Sequence, residues 1–348
     1  MTKLRNSSSP SSLRQDFISG DWVVVATGRA ARPDEFKRKP KKRLRPVLPC
    51  RFCQITKYEE PILAYREGEV IKKPPYNGWT TVVVANRYPA FLPRLKLEKR
   101  KAGPYRVMNG KGFHELVITA DHDRDIGQME IKRVKELVDA YQSRYLTLCR
   151  QPDVSYVAIF HNQGEEAGAS IAHHHSQIIA IPVLDAGMVR DFADTQNYWQ
   201  AHRKCPHCLM VASERKARKR LVFENKDFVA FVPFAPRVAF EIRIYPKKHQ
   251  PYFEKISDGE KWSLAEVFKA SLGALGKGLN SPDYNFFLKT APCGKEKSDF
   301  YHFSWHILPK TQIWAGFELG AQIEISTIAP EEAAAYLRKH ELTRIKNE

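Results

Sequence analysis

Two Cys-x-x-Cys pairs, Cys50/Cys53 in CRFC and Cys205/Cys208 in CPHC, each stand at the head of the same order of sequence elements. After them, VVVANRYPAF (Val82–Phe91) resembles VAFVPFAPRVAF (Val229–Phe240), a strand running into a Pro-containing turn. FHELVITADH (Phe113–His122) lies on FEIRIYPKKH (Phe240–His249): both start with Phe, alternate as a β-segment and end in His nine residues on. Helical patterns follow over Ile126–Cys149 and Lys261–Leu279, the second entered through the capping-box signal Ser257…Glu260. Strands at Val154–Phe160 and Tyr284–Thr290, polar Gly-containing loops and His-rich segments then close each unit. So long a period with this much agreement indicates duplication and predicts an α+β fold of two similar halves meeting near residues 185–204. The expected organisation is a flexible leader over 1–15, whose Ser/Pro/Asn-rich sequence has little to bury, then halves at 16–190 and 191–348.

The repeat places metal-ligand chemistry at matching positions. Zinc takes four ligands, usually Cys and His, in a tetrahedral shell. One half offers Cys50, Cys53, His122 and His173, with its His residues 51 positions apart; the other offers Cys205, Cys208, His249 and His302, with 53. One Cys-x-x-Cys pair fits turn cysteines or a redox pair equally well; two, each with two His at repeat-related places, predict two zinc sites, the second of which could hold iron. With four protein ligands and no open position, such sites tie distant strands together. Cys149 and Cys293 remain as ordinary buried or loop thiols, and His202, His207 and His340 as solvated histidines.

With Lys+Arg 56 against Asp+Glu 39, the 348-residue chain carries a formal charge of +17, which fits nucleic acid, a membrane surface or phosphorylated small molecules as partners. Nine Lys/Arg and two acidic residues lie between Arg29 and Pro46, broken by Pro33, Pro40 and Pro46, so that stretch reads as an extended basic loop. The opening residues lack an apolar signal-peptide core and the apolar runs are only strand-length, so a cytoplasmic protein is expected. Neither Cys-x-x-Cys has the compact spacing of a nucleic-acid-binding finger, which leaves a zinc-dependent nucleic-acid-binding protein as a remote alternative.

Side chains alternate along GASIAHHHSQIIA, so His173, His175 and Gln177 share one face. With His173 on a metal, His175 is free to act. The loop before it, His161–Ser170, contains Gly164, Gly168, Ala169 and Ser170, small enough to let N–H groups and a hydroxyl approach an anion. A His nucleophile beside a phosphate cradle is what covalent nucleotidyl transfer needs. A cluster that serves only metal binding is the alternative.

These residues resemble the galactose-1-phosphate uridylyltransferase branch of the histidine-triad superfamily, which carries His-x-His-x-Gln after a Gly-x-Ser loop and a Cys-x-x-Cys knuckle upstream. The motif stands here as His173–His174–His175–Ser176–Gln177 after Gly168–Ala169–Ser170, and the resemblance covers about residues 16–340. It implies two tandem histidine-triad-like halves, each a largely antiparallel sheet with packed helices. It further implies that His173 is a zinc ligand, His175 the nucleophile and Gln177 a phosphate hydrogen-bonder, with Ser170 on phosphate. Asn162 and Asn86 would lie at the nucleotide, Glu318 on hexose hydroxyls, and Arg29 and Arg32 would reach the phosphates across a homodimer interface. In the second half Ser304 stands where the nucleophile would be, so one active site per chain is expected.

The expected reaction moves a nucleoside monophosphate from UDP-glucose to galactose 1-phosphate. The second Cys/His set is similar to that of ADP-glucose:phosphate adenylyltransferase relatives, so ADP-glucose with phosphate, or a dinucleoside polyphosphate phosphorylase, is the alternative. Asn86–Arg87–Tyr88 departs from the Asn-Asp-Phe of several uridylyltransferases, which leaves the base open.

Overall fold

Alternating apolar segments that end in His should pair as antiparallel strands with one face turned to helices. The computed structural model describes residues 11–27, 33–37, 49–294 and 298–341. Its first elements are β1 (Ser12–Gln15), β2 (Trp22–Val25), β3 (Leu63–Arg66), β4 (Glu69–Val70), β5 (Thr81–Ala85), β6 (Lys99–Ala102), β7 (Tyr105–Met108) and β8 (Phe113–Thr119). Helix α1 (Ile131–Cys149), β9 (Tyr156–Gln163) and β10 (His175–Ile181) follow, then α2 (Ala186–His202) and α3 (Pro206–Ala217). The rest comprises β11 (Leu221–Glu224), β12 (Phe228–Phe231), β13 (Ile242–Pro246), α4 (Asp258–Leu279), β14 (Tyr284–Lys289) and β15 (Ser304–Pro309). Helix α5 (Gly316–Ala321), β16 (Glu324–Ser326) and α6 (Pro330–Lys339) complete the chain.

Eleven strands form one sheet in the order β11-β12-β13-β15-β14-β9-β10-β8-β5-β3-β4, and every neighbouring pair in it is antiparallel. From the outside inward, β3-β5-β8-β10-β9 repeats the order of β11-β12-β13-β15-β14, and the two series meet where β9 pairs with β14. The duplication read from the sequence is therefore a repeated strand order within one continuous sheet.

One face packs under α1 and α4. Val117, Ile178, Ile242 and Ile244 of the strands join Leu137, Tyr141, Phe268 and Leu272 of the helices in a single apolar cluster. Helix α1 starts at Ile131, not at 126, because Asp125–Met129 forms a turn in which Gln128 and Met129 N–H groups return to the Asp125 carbonyl. Ile126 and Met129 are nevertheless buried, and Gly127 sits so close to α4 that a Cβ would lie 2.6 Å from the Gly273 nitrogen. Helix α4 starts at Asp258, three residues earlier than expected, and its capping box forms: Glu260 takes the Ser257 N–H while the Ser257 hydroxyl takes that of Glu260.

Three other expectations change. Ser12–Gln15 is a strand, because its backbone pairs with β2 and Arg14 reaches Glu331 at 2.9 Å, so the expected leader does not extend to residue 15. Cys149 and Cys293 are joined by a disulfide that ties the end of α1 to the loop after β14. His207 is buried among Tyr245, Tyr301 and His302, since it shares the buried face of α3 with Val211 and Glu214 at helical spacing. Within the expected basic loop, Pro33–Phe36 is a short 3-10 turn and most of the remainder lies outside the described residues. Among the described residues no helix is long and apolar enough to cross a membrane.

The β1–β2 hairpin docks on the second half. Strand β16 pairs with β2 in parallel, and Asp16 makes a buried ion pair of 2.5 Å with Arg243 of β13. Burial would raise the Asp16 carboxyl, but Arg243 and the Ser19 and Ile18 N–H groups hold it at about 2. A depressed carboxyl stabilises the fold above the unfolded-state value and loses that contribution as pH falls toward about 2. Asp16→Asn is expected to lower the unfolding free energy at pH 7 by about 3 kcal/mol, measured by urea unfolding, because it leaves Arg243 buried with one partner fewer. The gap from wild type should narrow as pH drops below about 4.

Candidate active site

Alternation sends odd residues of the β10 segment to the face opposite α1, and His173, His175 and Gln177 emerge there together. Cys50, Cys53, His122 and His173 bring their ligand atoms within 4.8 Å of one another, and so do Cys205, Cys208, His249 and His302. Both tetrads are those expected from the repeat. A tetrahedral zinc shell has edges of about 3.3 Å between nitrogens and about 3.6 Å between sulfur and nitrogen. Here His122 Nδ1 and His173 Nδ1 are 3.1 Å apart, Cys53 Sγ is 3.1 and 3.5 Å from them, and Cys208 Sγ lies 3.2 and 3.5 Å from His249 and His302 Nδ1.

The second hydrogen bonds show that these rings fit a cation. His173 Nε2 donates to the Thr119 carbonyl at 2.7 Å, His249 Nε2 to that of Asp299 at 2.7 Å and His302 Nε2 to that of Pro246 at 3.0 Å. With the proton held on Nε2, each Nδ1 lone pair faces the cysteines, the arrangement a metal-bound imidazole takes. Burial pushes His173 down to about 4, which keeps the ring neutral as a ligand must be.

His175 is the first residue of β10 and is nine-tenths buried. Its Nδ1 donates to the carbonyl of His173 at 2.9 Å, which places the proton on Nδ1 and leaves the Nε2 lone pair unshared. Burial also lowers its pKa, so the neutral imidazole is favoured. The edge of Phe52, inside the CRFC knuckle, packs on both His173 and His175 with centroids at 5.9 and 5.1 Å. The metal tetrad and the free imidazole are thus parts of one packed unit.

Gln177 is oriented by His114. The Ala90 N–H donates to His114 Nδ1 at 3.2 Å, so His114 Nε2 carries the proton and donates to Gln177 Oε1 at 2.8 Å. That turns the Gln177 amide nitrogen outward as a donor. Asn86 stands next to this group, with its Oδ1 accepting the Tyr88 N–H at 2.9 Å. Neither His114 nor Phe52 was singled out from the sequence, although alternation along β8 puts His114 on the face of Leu116, the register partner of Gln177.

The small-residue loop is built differently from the expected amide cradle. The N–H groups of Gly168 and Ala169 donate back to Glu165 and Gly164 carbonyls, both at 3.0 Å, and so are taken within the loop. Gly164 is required at φ +82°, where a Cβ would lie 2.2 Å from the Asp283 carboxyl that receives the Glu166 N–H. The Asn285 amide of β14 donates to Asn162 Oδ1 on β9 at 2.9 Å and to the Ala167 carbonyl at 2.8 Å, and the second bond pins the loop to β14. Ser170 is exposed, with its hydroxyl unpartnered among the described residues. Glu318 lies on α5, where its carboxylate caps the helix by accepting the Ala315 N–H at 3.0 Å; it makes no hydrogen bond to the His175 group. Arg29 and Arg32 lie outside the described residues.

With this geometry in view, known proteins identify the type. A model described as "Galactose-1-phosphate uridyl transferase, N-terminal domain" matches residues 4–185, and one described as "Domain of unknown function (DUF4921)" matches 114–348. The chain belongs to the galactose-1-phosphate uridylyltransferase family. Within reach of that family, it is 30% identical to ADP-glucose phosphorylase of Arabidopsis thaliana over 95% of this chain and 93% of the relative. It is also 30% identical to galactose-1-phosphate uridylyltransferase of Thermotoga maritima, over 95% of this chain and 98% of the relative. The crystal structure of an Arabidopsis thaliana ADP-glucose phosphorylase with bound ADP-glucose superposes with TM-score 0.79 at 26% identity, covering 96% of this chain and all of that one. A uridylyltransferase structure gives 0.72 at 26%, covering 95% and 98%.

Both tetrads should bind metal. Elemental analysis of purified protein is expected to find about two zinc or iron ions per chain. Cys50→Ser should remove one of them, and Cys205→Ser the other.

Proposed function

We propose that the chain is a nucleotidylyltransferase that carries a nucleoside monophosphate on His175, and the observation that carries this reading is the His175 tautomer. With Nδ1–H engaged by the His173 carbonyl, the Nε2 lone pair attacks the α-phosphorus of a nucleotide sugar. The bridging oxygen–phosphorus bond breaks, and hexose 1-phosphate leaves. A phosphate oxygen of the acceptor then attacks the same phosphorus, the P–Nε2 bond breaks and His175 returns to its starting state. The Gln177 amide, aimed by His114, and the Ser170 hydroxyl are the donors that meet charge growing on the phosphoryl oxygens. Arg29 and Arg32 would add guanidinium forks to the same phosphates. Zinc in the first tetrad would hold the knuckle and Phe52 against His175; the chemistry is that of the protein side chains.

In this reading the two series of strands are histidine-triad-like halves, 16–190 and 191–348, and only the first keeps a nucleophile. UDP-glucose as donor with galactose 1-phosphate as acceptor is the first reading of the substrates. ADP-glucose with inorganic phosphate as acceptor is the second; it is supported by the complete Cys/His tetrad of the C-terminal half and the TM-score of 0.79 to the ADP-glucose phosphorylase.

A homodimer with a shared site completes the proposal. Ile313, Trp314, Phe317 and Leu319 are exposed, with Ile313 at 94%, and they surround Glu318 on a segment that could enter a partner's site.

Enzyme incubated with UDP-glucose or ADP-glucose labelled at the α-phosphate should acquire acid-labile label on His175 from the true donor, and none in His175→Ala. Label that persists in the variant would falsify the nucleophile assignment. Mixing inactive His175→Ala with inactive Glu318→Ala chains after mild dissociation should restore about a quarter of wild-type activity, because one of the two sites in each mixed dimer is intact and half the dimers are mixed. No recovery, with mixed dimers demonstrated, would mean that each site is built from a single chain.

A further inference from the structure

Behind the face that carries His175, a second set of hydrogen bonds brackets it. Its neighbours in the chain, His174 and Ser176, point by alternation to the opposite face of the sheet, and both are buried. The Tyr141 hydroxyl of α1 lies 2.5 Å from Ser176 Oγ, which lies 3.0 Å from His161 Nδ1. His161 Nε2 is 3.2 Å from Gln163 Oε1, and His174 Nδ1 reaches the same oxygen at 2.5 Å.

One pattern of protons satisfies all four contacts. An amide oxygen only accepts, so His161 carries its proton on Nε2 and His174 carries one on Nδ1. His161 Nδ1 is then an acceptor: the Ser176 hydroxyl donates to it, and the Tyr141 hydroxyl donates to Ser176. Burial pushes His161 down to about 3, which keeps its ring in the neutral state this pattern needs. Phe286 of β14 packs flat on the same ring, with centroids 4.9 Å and planes 6° apart.

The Gln163 end of this chain of bonds bears on the His175 proton. The carbonyl that receives His175 Nδ1–H belongs to the planar peptide joining His173 to His174, so its direction follows from how those two residues are held. His173 is held through the Thr119 carbonyl. The ladder between β9 and β10 begins with Ser176 opposite His161, so His174 lies beyond it. Its bond to Gln163, the last residue of β9, extends the contact between the two strands past the end of that ladder. We propose that Gln163 and His174 are positioning residues for nucleotidyl transfer: the bond between them orients the His173–His174 peptide and, through its carbonyl, the His175 ring. The proposal rests on His175 as the nucleophile.

The test compares Gln163→Met, which keeps the length of the side chain and loses the acceptor, with Gln163→Glu, which retains an acceptor oxygen. His174→Leu breaks the same bond from its other end and is held to the same outcomes as Gln163→Met. Long-range 1H–15N spectra of the full chain labelled at histidine read the His175 tautomer without any substrate, with His175→Ala for assignment. Wild type and Gln163→Glu should show the Nδ1–H form alone. Gln163→Met should show both tautomers, at wild-type metal content and circular dichroism. With the nucleotide sugar that labels wild type, Gln163→Met should lower kcat about tenfold or more, with KM within about twofold, and Gln163→Glu should recover most of the loss. The proposal is overturned if Gln163→Met and His174→Leu both keep the single tautomer, if kcat falls only in step with lost metal, or if KM alone changes. Absence of label on His175 in wild type overturns the nucleophile itself, a result distinct from a labelled wild type whose variants keep its tautomer and kcat.

Discussion

Four side chains from three separate segments turn toward one point in each half, and the rest of the architecture follows from that convergence. In the first tetrad the His122 and His173 Nδ1 atoms face each other at 3.1 Å beside two cysteines. With the His173 proton committed to the Thr119 carbonyl, lone pairs and thiols crowd a point that a cation would stabilise. Closing the shell holds the knuckle that contains Phe52, the end of β8 and the entry to β10 in one place. His175, two residues past a ligand and one hydrogen bond from its carbonyl, inherits that rigidity.

The sheet then divides labour between its faces. Beneath it, α1 and α4 bury Val117, Ile178, Ile242 and Ile244, which stabilises the fold without touching the chemistry. Above it, β10 and β8 present Gln177 and His114 as a hydrogen-bonded pair whose proton position is set by the Ala90 N–H. Pairing of β9 with β14 carries the two series into one sheet, and Asn285 on β14 holds the loop of the first series through the Ala167 carbonyl. The second series of strands therefore supports the first. Part of the positive charge sits apart from the main sheet: β6 and β7, with Lys99, Arg100, Lys101 and Arg106, form a separate exposed ribbon.

How much of this could be read beforehand differs by interaction type. The metal tetrads, the repeated strand order and the Ser257 capping box were legible, because ligand chemistry, β-alternation and helix capping impose residue types at set spacings. His114 and Phe52 were not, since a lone His on a strand and a Phe in a turn are ordinary core residues until their neighbours are known. The Gly168 and Ala169 amides were read as anion donors, but backbone conformation decides whether an N–H faces outward, and here both close the loop on itself. The Cys149–Cys293 bond joins residues 144 apart in sequence, a distance at which no local pattern operates.

By itself, the sequence determined the repeated order of elements, the two Cys/His clusters and the serine that stands at 304 where the first series has His175. Each of these is a matter of residue identity at a repeat-related place. Tertiary structure alone decided that the His175 proton sits on Nδ1, that Gln177 is aimed by His114, and that Ser304 bonds to His306 beside a cavity. Those depend on hydrogen bonds and packing between chain segments far apart in sequence, whose partners become defined only when the sheet closes.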